Sequence, residues 1–89
     1  MRTLLKIGDL QERMGLGEQA TATYGEVAEF YEAQGFFLKA SAVYKQILRM
    51  QPDHLRAGSK LAELYHQLGL RRDAWREYQR LSNLLQVRG

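Results

Sequence analysis

The side chains here that could do chemistry are two histidines, three serines and a run of arginines. His54 and His66 stand outside the i, i+4 spacing by which one helix presents two imidazoles to a metal. His54 follows Pro52-Asp53 and reads as an exposed residue at a helix start. Ser41, Ser59 and Ser82 have no companion base at a readable spacing, which nucleophilic catalysis would need. No glycine-rich phosphate loop follows a strand. The chain has no cysteine, hence no thiolate nucleophile and no cysteine-bound metal. The expectation is a protein with no catalysis, no cofactor and no metal. Arg72, Arg76 and Arg80 fall at i, i+4, i+8, so they share one helical stripe. Such a stripe suits an acidic partner or a phosphate backbone. The plainer alternative is a solvated outer face, helped by Asp73–Arg76 and Glu77–Arg80 pairs at i+3. A formal net charge of +3 does not by itself call for nucleic acid, which stands as a minor alternative.

These residues must be carried by helices. The 89 residues include one proline and few β-branched residues, which points to an all-α chain. Five segments have helical periodicity. The first runs from about residue 3 to 14, with Leu4, Ile7, Leu10 and Met14 on one face. The second, about 18–33, has Ala20, Tyr24, Val27, Ala28 and Tyr31 in phase. The third, about 36–50, turns Phe37, Ala40, Tyr44, Ile47 and Leu48 inward. The fourth, about 53–68, has the stripe Leu61, Leu64, Tyr65 and Leu68, with Asp53 placed to cap it. The fifth, about 71–86, has Ala74, Trp75, Tyr78, Leu81 and Leu85 available for packing. Gly15, Gly35 and Gly69 end three of them. Connections this short make neighbours antiparallel. No apolar run reaches the ~20 residues that span a bilayer. The apolar part of the N-terminus is too short for a signal peptide. Together with the absence of cysteine, this makes a cytoplasmic location the expectation.

Two stretches match at a spacing of 34 residues: Tyr31 with Tyr65, Gly35 with Gly69, Ala40 with Ala74, Tyr44 with Tyr78. Val27 and Ala28 pair likewise with Leu61 and Ala62, and Ile47 with Leu81. A period of this length marks stacked helix–turn–helix units. The chain resembles the tetratricopeptide repeat family over nearly its whole length. Residues 21–54 carry one full repeat, with Tyr24, Val27, Ala28, Tyr31, Gly35, Ala40, Tyr44, Ile47 and Pro52 at the motif places. Residues 55–88 carry a second, with Gly58 at the tryptophan place and Gln86 where the closing proline would stand. Residues 1–20 begin a partial one, with Leu4, Ile7, Gly8, Gly15 and Ala20. Segment 18–33 fits both a second-helix and a first-helix slot. The resemblance therefore implies a single domain, 1–89, a right-handed superhelical stack of about five helices with an irregular start. The run 28–40 is also similar to segments of large bacterial scaffolds, which implies an excerpt from a longer protein.

In that family first helices line a concave groove that holds a partner segment. The resemblance implies a protein-binding adaptor whose groove carries Glu26, Glu29, Glu32, Lys60, Glu63 and His66. The basic clamp of the chaperone-binding members is absent. An acidic row stands instead, extended by Asp9 and Glu12, and would favour a basic or neutral segment of another protein. A solvated helix face is the alternative. Gly8, Gly25 and Gly58 read as close-contact sites or as a cost to helix stability. The family position of Trp75 packs on the next helix along. Trp75, Leu84 and Leu85 thus form an exposed apolar end that joins copies into homo-oligomers or marks a partner site; the alternative is that Trp75 folds back onto the fourth helix.

Overall fold

The computed structural model describes the backbone of residues 2–88 and the side chains as far as residue 86. It is all-helical: α1 Arg2–Arg13, α2 Gly17–Ala33, α3 Phe37–Met50, α4 Leu55–Gln67 and α5 Arg71–Arg88.

Three of the four connections are the same turn. Gly15, Gly35 and Gly69 have φ of 78°, 80° and 77°, the left-handed region that other residues enter at a cost. The glycine N–H reaches Glu12, Glu32 or His66 O at 3.0–3.1 Å, and the next N–H reaches Gln11, Tyr31 or Tyr65 O at 2.8 Å. These paired bonds satisfy the last helix carbonyls in the Schellman manner. The apolar contact that accompanies such a turn is present where Phe36 meets Tyr31 edge-on, with ring centroids 6.4 Å apart.

The fourth connection, α3 to α4, differs because Pro52 bars a continuing helix. There the sequence expectation needs correction. His54, not Asp53, caps α4: its Nδ1 accepts the Ala57 N–H at 3.1 Å. His54 holds the extended backbone of a cap, φ −73°, ψ 96°, one residue after Asp53. It is also half-buried rather than exposed.

Each helix packs on its chain neighbours. Second neighbours touch as well: α2 meets α4 through Glu29–Arg56 and Glu32–Lys60, and α1 meets α3 through Glu12–Gln46. The result is a slab of 33 × 30 × 15 Å. Its core lies in the middle helices, where Tyr24, Val27, Tyr44, Ile47, Leu61 and Leu64 are buried together. Glycine turns join α2 to both α1 and α3.

The two end helices use only part of their apolar arcs. On α1, Gly8 is buried against the Tyr24 ring, and Leu4 and Leu5 pack on the core. Ile7, Leu10 and Met14, expected to share a packed face with Leu4, are exposed. Their side of α1 has no neighbouring helix. On α5, Ala74 and Leu81 are buried, while Trp75, Tyr78 and Leu85 are exposed. The sequence offers Tyr78 for packing and Trp75 for folding back onto α4. Neither occurs, because α4 covers only the Ala74–Leu81 side of α5.

Candidate partner groove

A groove of about 400 Å³ runs between α2 and α4. Glu18, Thr21, Gly25, Glu26 and Glu29 of α2 line one wall at one-turn spacing. Tyr44 and Ile47 of α3 form the floor, and His54, Arg56 and Ala57 the opposite wall. A Cβ added at Gly25 would meet nothing within 4 Å. Gly25 therefore widens the groove rather than admitting another helix.

The electrostatics are mixed. Glu29 and Arg56 join across the top at 2.9 Å, with side chains 56% and 74% exposed. A pair this exposed is worth at most about 1 kcal/mol and opens readily for a competing ion. Below it, the Tyr44 hydroxyl donates to Glu32 Oε1 at 2.7 Å. Burial, then that hydrogen bond, pushes the Tyr44 phenol well above its ordinary range. Lys60 Nζ stands 4.0 Å from the other oxygen of Glu32.

The expected acidic row is therefore divided by role. Glu26 and Glu29 line the groove. Glu32 and Lys60 sit beyond that wall, with Glu32 engaged by Tyr44. Glu63 and His66 are exposed farther along α4 and do not line this groove. Asp9 and Glu12 do not extend the row. They accept the Tyr24 hydroxyl at 2.5 and 3.0 Å, and Glu12 also accepts Gln46 Nε2 at 2.9 Å. Burial and these bonds raise the Tyr24 phenol too. The reason is common to both tyrosines: a buried hydroxyl needs an acceptor. Each finds a glutamate on the preceding helix, across the glycine turn. Glu18, Tyr44, His54 and Arg56 were missed as groove residues. Arg56 carries no signal in sequence, since only the side-by-side placement of α2 and α4 sets it opposite Glu29.

The arginine stripe is also divided. Arg80 donates from Nη1 to Pro52 O at 2.6 Å and from Nε to Glu77 at 3.2 Å. The bond to Glu77 raises its already high pKa. The Glu77–Arg80 pair read from sequence is thus present. Arg80 belongs to the wall of a second, shallower groove of about 620 Å³ that includes Lys45, Leu48, Leu61 and Tyr65. Arg72 and Arg76 remain exposed. Trp75 and Leu85 are exposed, and Leu84 is half-buried.

No protein-family model and no curated protein matches the chain. Among the described residues, no helix is long and apolar enough to cross a membrane.

Proposed function

We propose that this chain is a tetratricopeptide-like interaction module that holds a basic segment of another protein in the α2–α4 groove. The observation that carries the reading is the groove itself. It has two carboxylates, Glu18 and Glu26, with no ion pair among the described residues, beside a third that a displaceable bridge occupies. A lysine or arginine of an incoming segment would replace Arg56 at Glu29, and Tyr44 and Ile47 would receive its apolar part. The three equal glycine turns and the close approaches at Gly8 and Gly58 support the repeat assignment. The absence of a companion base beside Ser41, Ser59 or Ser82 in sequence supports a binding role over catalysis. A cytoplasmic adaptor or scaffold role follows from the same reading. Nucleic-acid binding has less support, because Arg80 is held by Glu77 and Pro52 O and only Arg72 and Arg76 remain outward.

Fluorescence anisotropy with labelled lysine–alanine and glutamate–alanine peptides tests this. The basic peptide should bind more tightly, weaken with added salt, and lose about tenfold in affinity in Glu26→Gln/Glu29→Gln, as for a contact of about 1.4 kcal/mol. Equal binding of both peptides, or no effect of the double substitution, would sink the reading.

A further inference from the structure

The two ends of the slab expose faces whose counterparts meet inside it. At the α3–α4 junction, Ala57, Leu61 and Leu64 of α4 are buried in one cluster with Tyr44 and Ile47 of α3. Leu68 lies beside Phe37 and Leu38 at the start of α3. Positions 3, 7, 10 and 14 of α1 stand at a constant offset from 57, 61, 64 and 68, just as Gly15 does from Gly69. They are Thr3, Ile7, Leu10 and Met14, and all four are exposed, Leu10 to 56%. On the other side, Tyr78 of α5 is the 34-residue counterpart of Tyr44. Tyr44 is 4% exposed and Tyr78 is 47% exposed. The α1 face thus matches that of α4, and α5 keeps Tyr78 and Leu81 at the Tyr44 and Ile47 places, with Arg71, Arg72 and Trp75 where α3 has Phe37, Leu38 and Ser41.

One of the two internal charge pairs follows the same register, while the place of Glu32 is taken by His66, which offers Lys6 no carboxylate. Inside the chain, Glu29 of α2 pairs with Arg56 of α4, and Glu32 stands near Lys60. Advancing Glu29 by one 34-residue period gives Glu63. Moving Arg56 and Lys60 back by the α4-to-α1 offset gives Arg2 and Lys6. Glu63, Arg2 and Lys6 are all exposed, and none has an ion-pair partner among the described residues.

We infer that copies of this chain associate head to tail, α1 of one copy docking on α5 of the next and remaking the α3–α4 junction between molecules. Ile7, Leu10 and Met14 cover Tyr78 and Trp75, and Arg2 reaches Glu63 of the neighbouring copy. Trp75 stands where α3 has the small, buried Ser41, so the intermolecular seam must be wider there. Met14, at the Leu68 place, falls beside Arg71 and Arg72, one turn from Trp75, and its flexible side chain suits an indole. This contact is heterologous, so it propagates into open chains rather than closing at a dimer. One helix face per partner belongs to the small class of interfaces, below about 1,200 Å² in total, so association is weak.

Sedimentation of the 89-residue chain up to about 1 mM, a range suited to weak contacts, tests this. Emission of Trp75, the single tryptophan, is followed in parallel. The weight-average mass should rise past the dimer, with a blue shift. Leu10→Glu and Tyr78→Glu should each stay monomeric alone, and their equimolar mixture should form dimers and stop there. Both positions are exposed in the single chain, so helicity by circular dichroism should be unchanged. Glu63→Arg should weaken association severalfold, and Arg2→Glu added to it should restore it. A wild-type chain that stays monomeric overturns the inference. Self-association of Leu10→Glu alone also overturns it, because α5 would then be meeting α5. An unchanged affinity in Glu63→Arg overturns the proposed register.

Discussion

Tyr24 and Tyr44 show how one residue type sets the roles of others. Each is buried, and each hydroxyl is met by carboxylates from the preceding helix. Losing one hydroxyl, as in Tyr24→Phe, should cost about 0.5–1.5 kcal/mol, read from the urea midpoint. The raised phenols also give stability a defined alkaline limit. Both are held above the ordinary tyrosine value of 10.0. The folded chain therefore keeps protons that the unfolded chain releases. Their contribution is complete below about pH 10 and falls as pH rises beyond it. The Tyr24→Phe/Tyr44→Phe double variant should lose less stability than the wild type between about pH 8 and about pH 11. Equal losses would mean that these phenols do not set the limit. Gly8 is bound to the same site. A Cβ there would lie 2.8 Å from the Tyr24 ring, which is fully packed and cannot swing away. Gly8→Ala should destabilise by about 1–3 kcal/mol, as overpacking does.

At the scale of the element, glycine has two opposite meanings in this chain. Gly35 holds φ of 80° in the α2–α3 turn. Gly35→Ala should cost about 1–2 kcal/mol, because an L-residue is strained there. Gly25 lies inside α2 with open space around it. Gly25→Ala should stabilise by about 0.5–1 kcal/mol through helix propensity. If the groove binds as proposed, the added methyl should also weaken the basic peptide. Thermal melts of the two variants should move in opposite directions. A shared direction would mean that backbone conformation does not govern these sites. The turn glycines were legible in sequence because each follows a periodic apolar run. Gly25 was not separable from Gly8 and Gly58, because contact across helices is not written in spacing along one. His54 as the cap of α4 was missed for a related reason: the cap is decided by which residue is extended after Pro52-Asp53.

For the whole molecule, burial is concentrated at the centre. The core cluster joins residues of α2, α3 and α4, with Leu4 and Leu5 of α1 at its edge. Ala74 and Leu81 of α5 are buried outside that cluster, against α4. α5 lies at one edge of the slab and packs on α4. Amide exchange should therefore be slowest around Val27, Tyr44, Ile47 and Leu64 and faster along α5. Uniform protection would show that the helices open together. The same layout gives the self-association test its dynamic counterpart: covering the α5 face with a second copy should slow exchange in α5 at high concentration.

The sequence by itself determined the helices, the three glycine turns and the inward residues of the middle of the chain. Those follow from periodicity and local backbone chemistry, which act within about one helical turn. It also showed two overlapping repeat phases in segment 18–33. Only the tertiary structure decided which charges do what. Glu26 and Glu29 border a groove, Glu12 and Glu32 hold tyrosines, and Arg80 is tied to Glu77 and Pro52 O. All are ordinary helix-surface residues in sequence. Their roles depend on which helix lies opposite, and spacing along one chain does not carry that distance. The exposed ends divide in the same way. Trp75 stood out in the sequence, but only the burial of Tyr44 beside the exposure of Tyr78 shows that this face of α5 is uncovered where the matching face of α3 is covered.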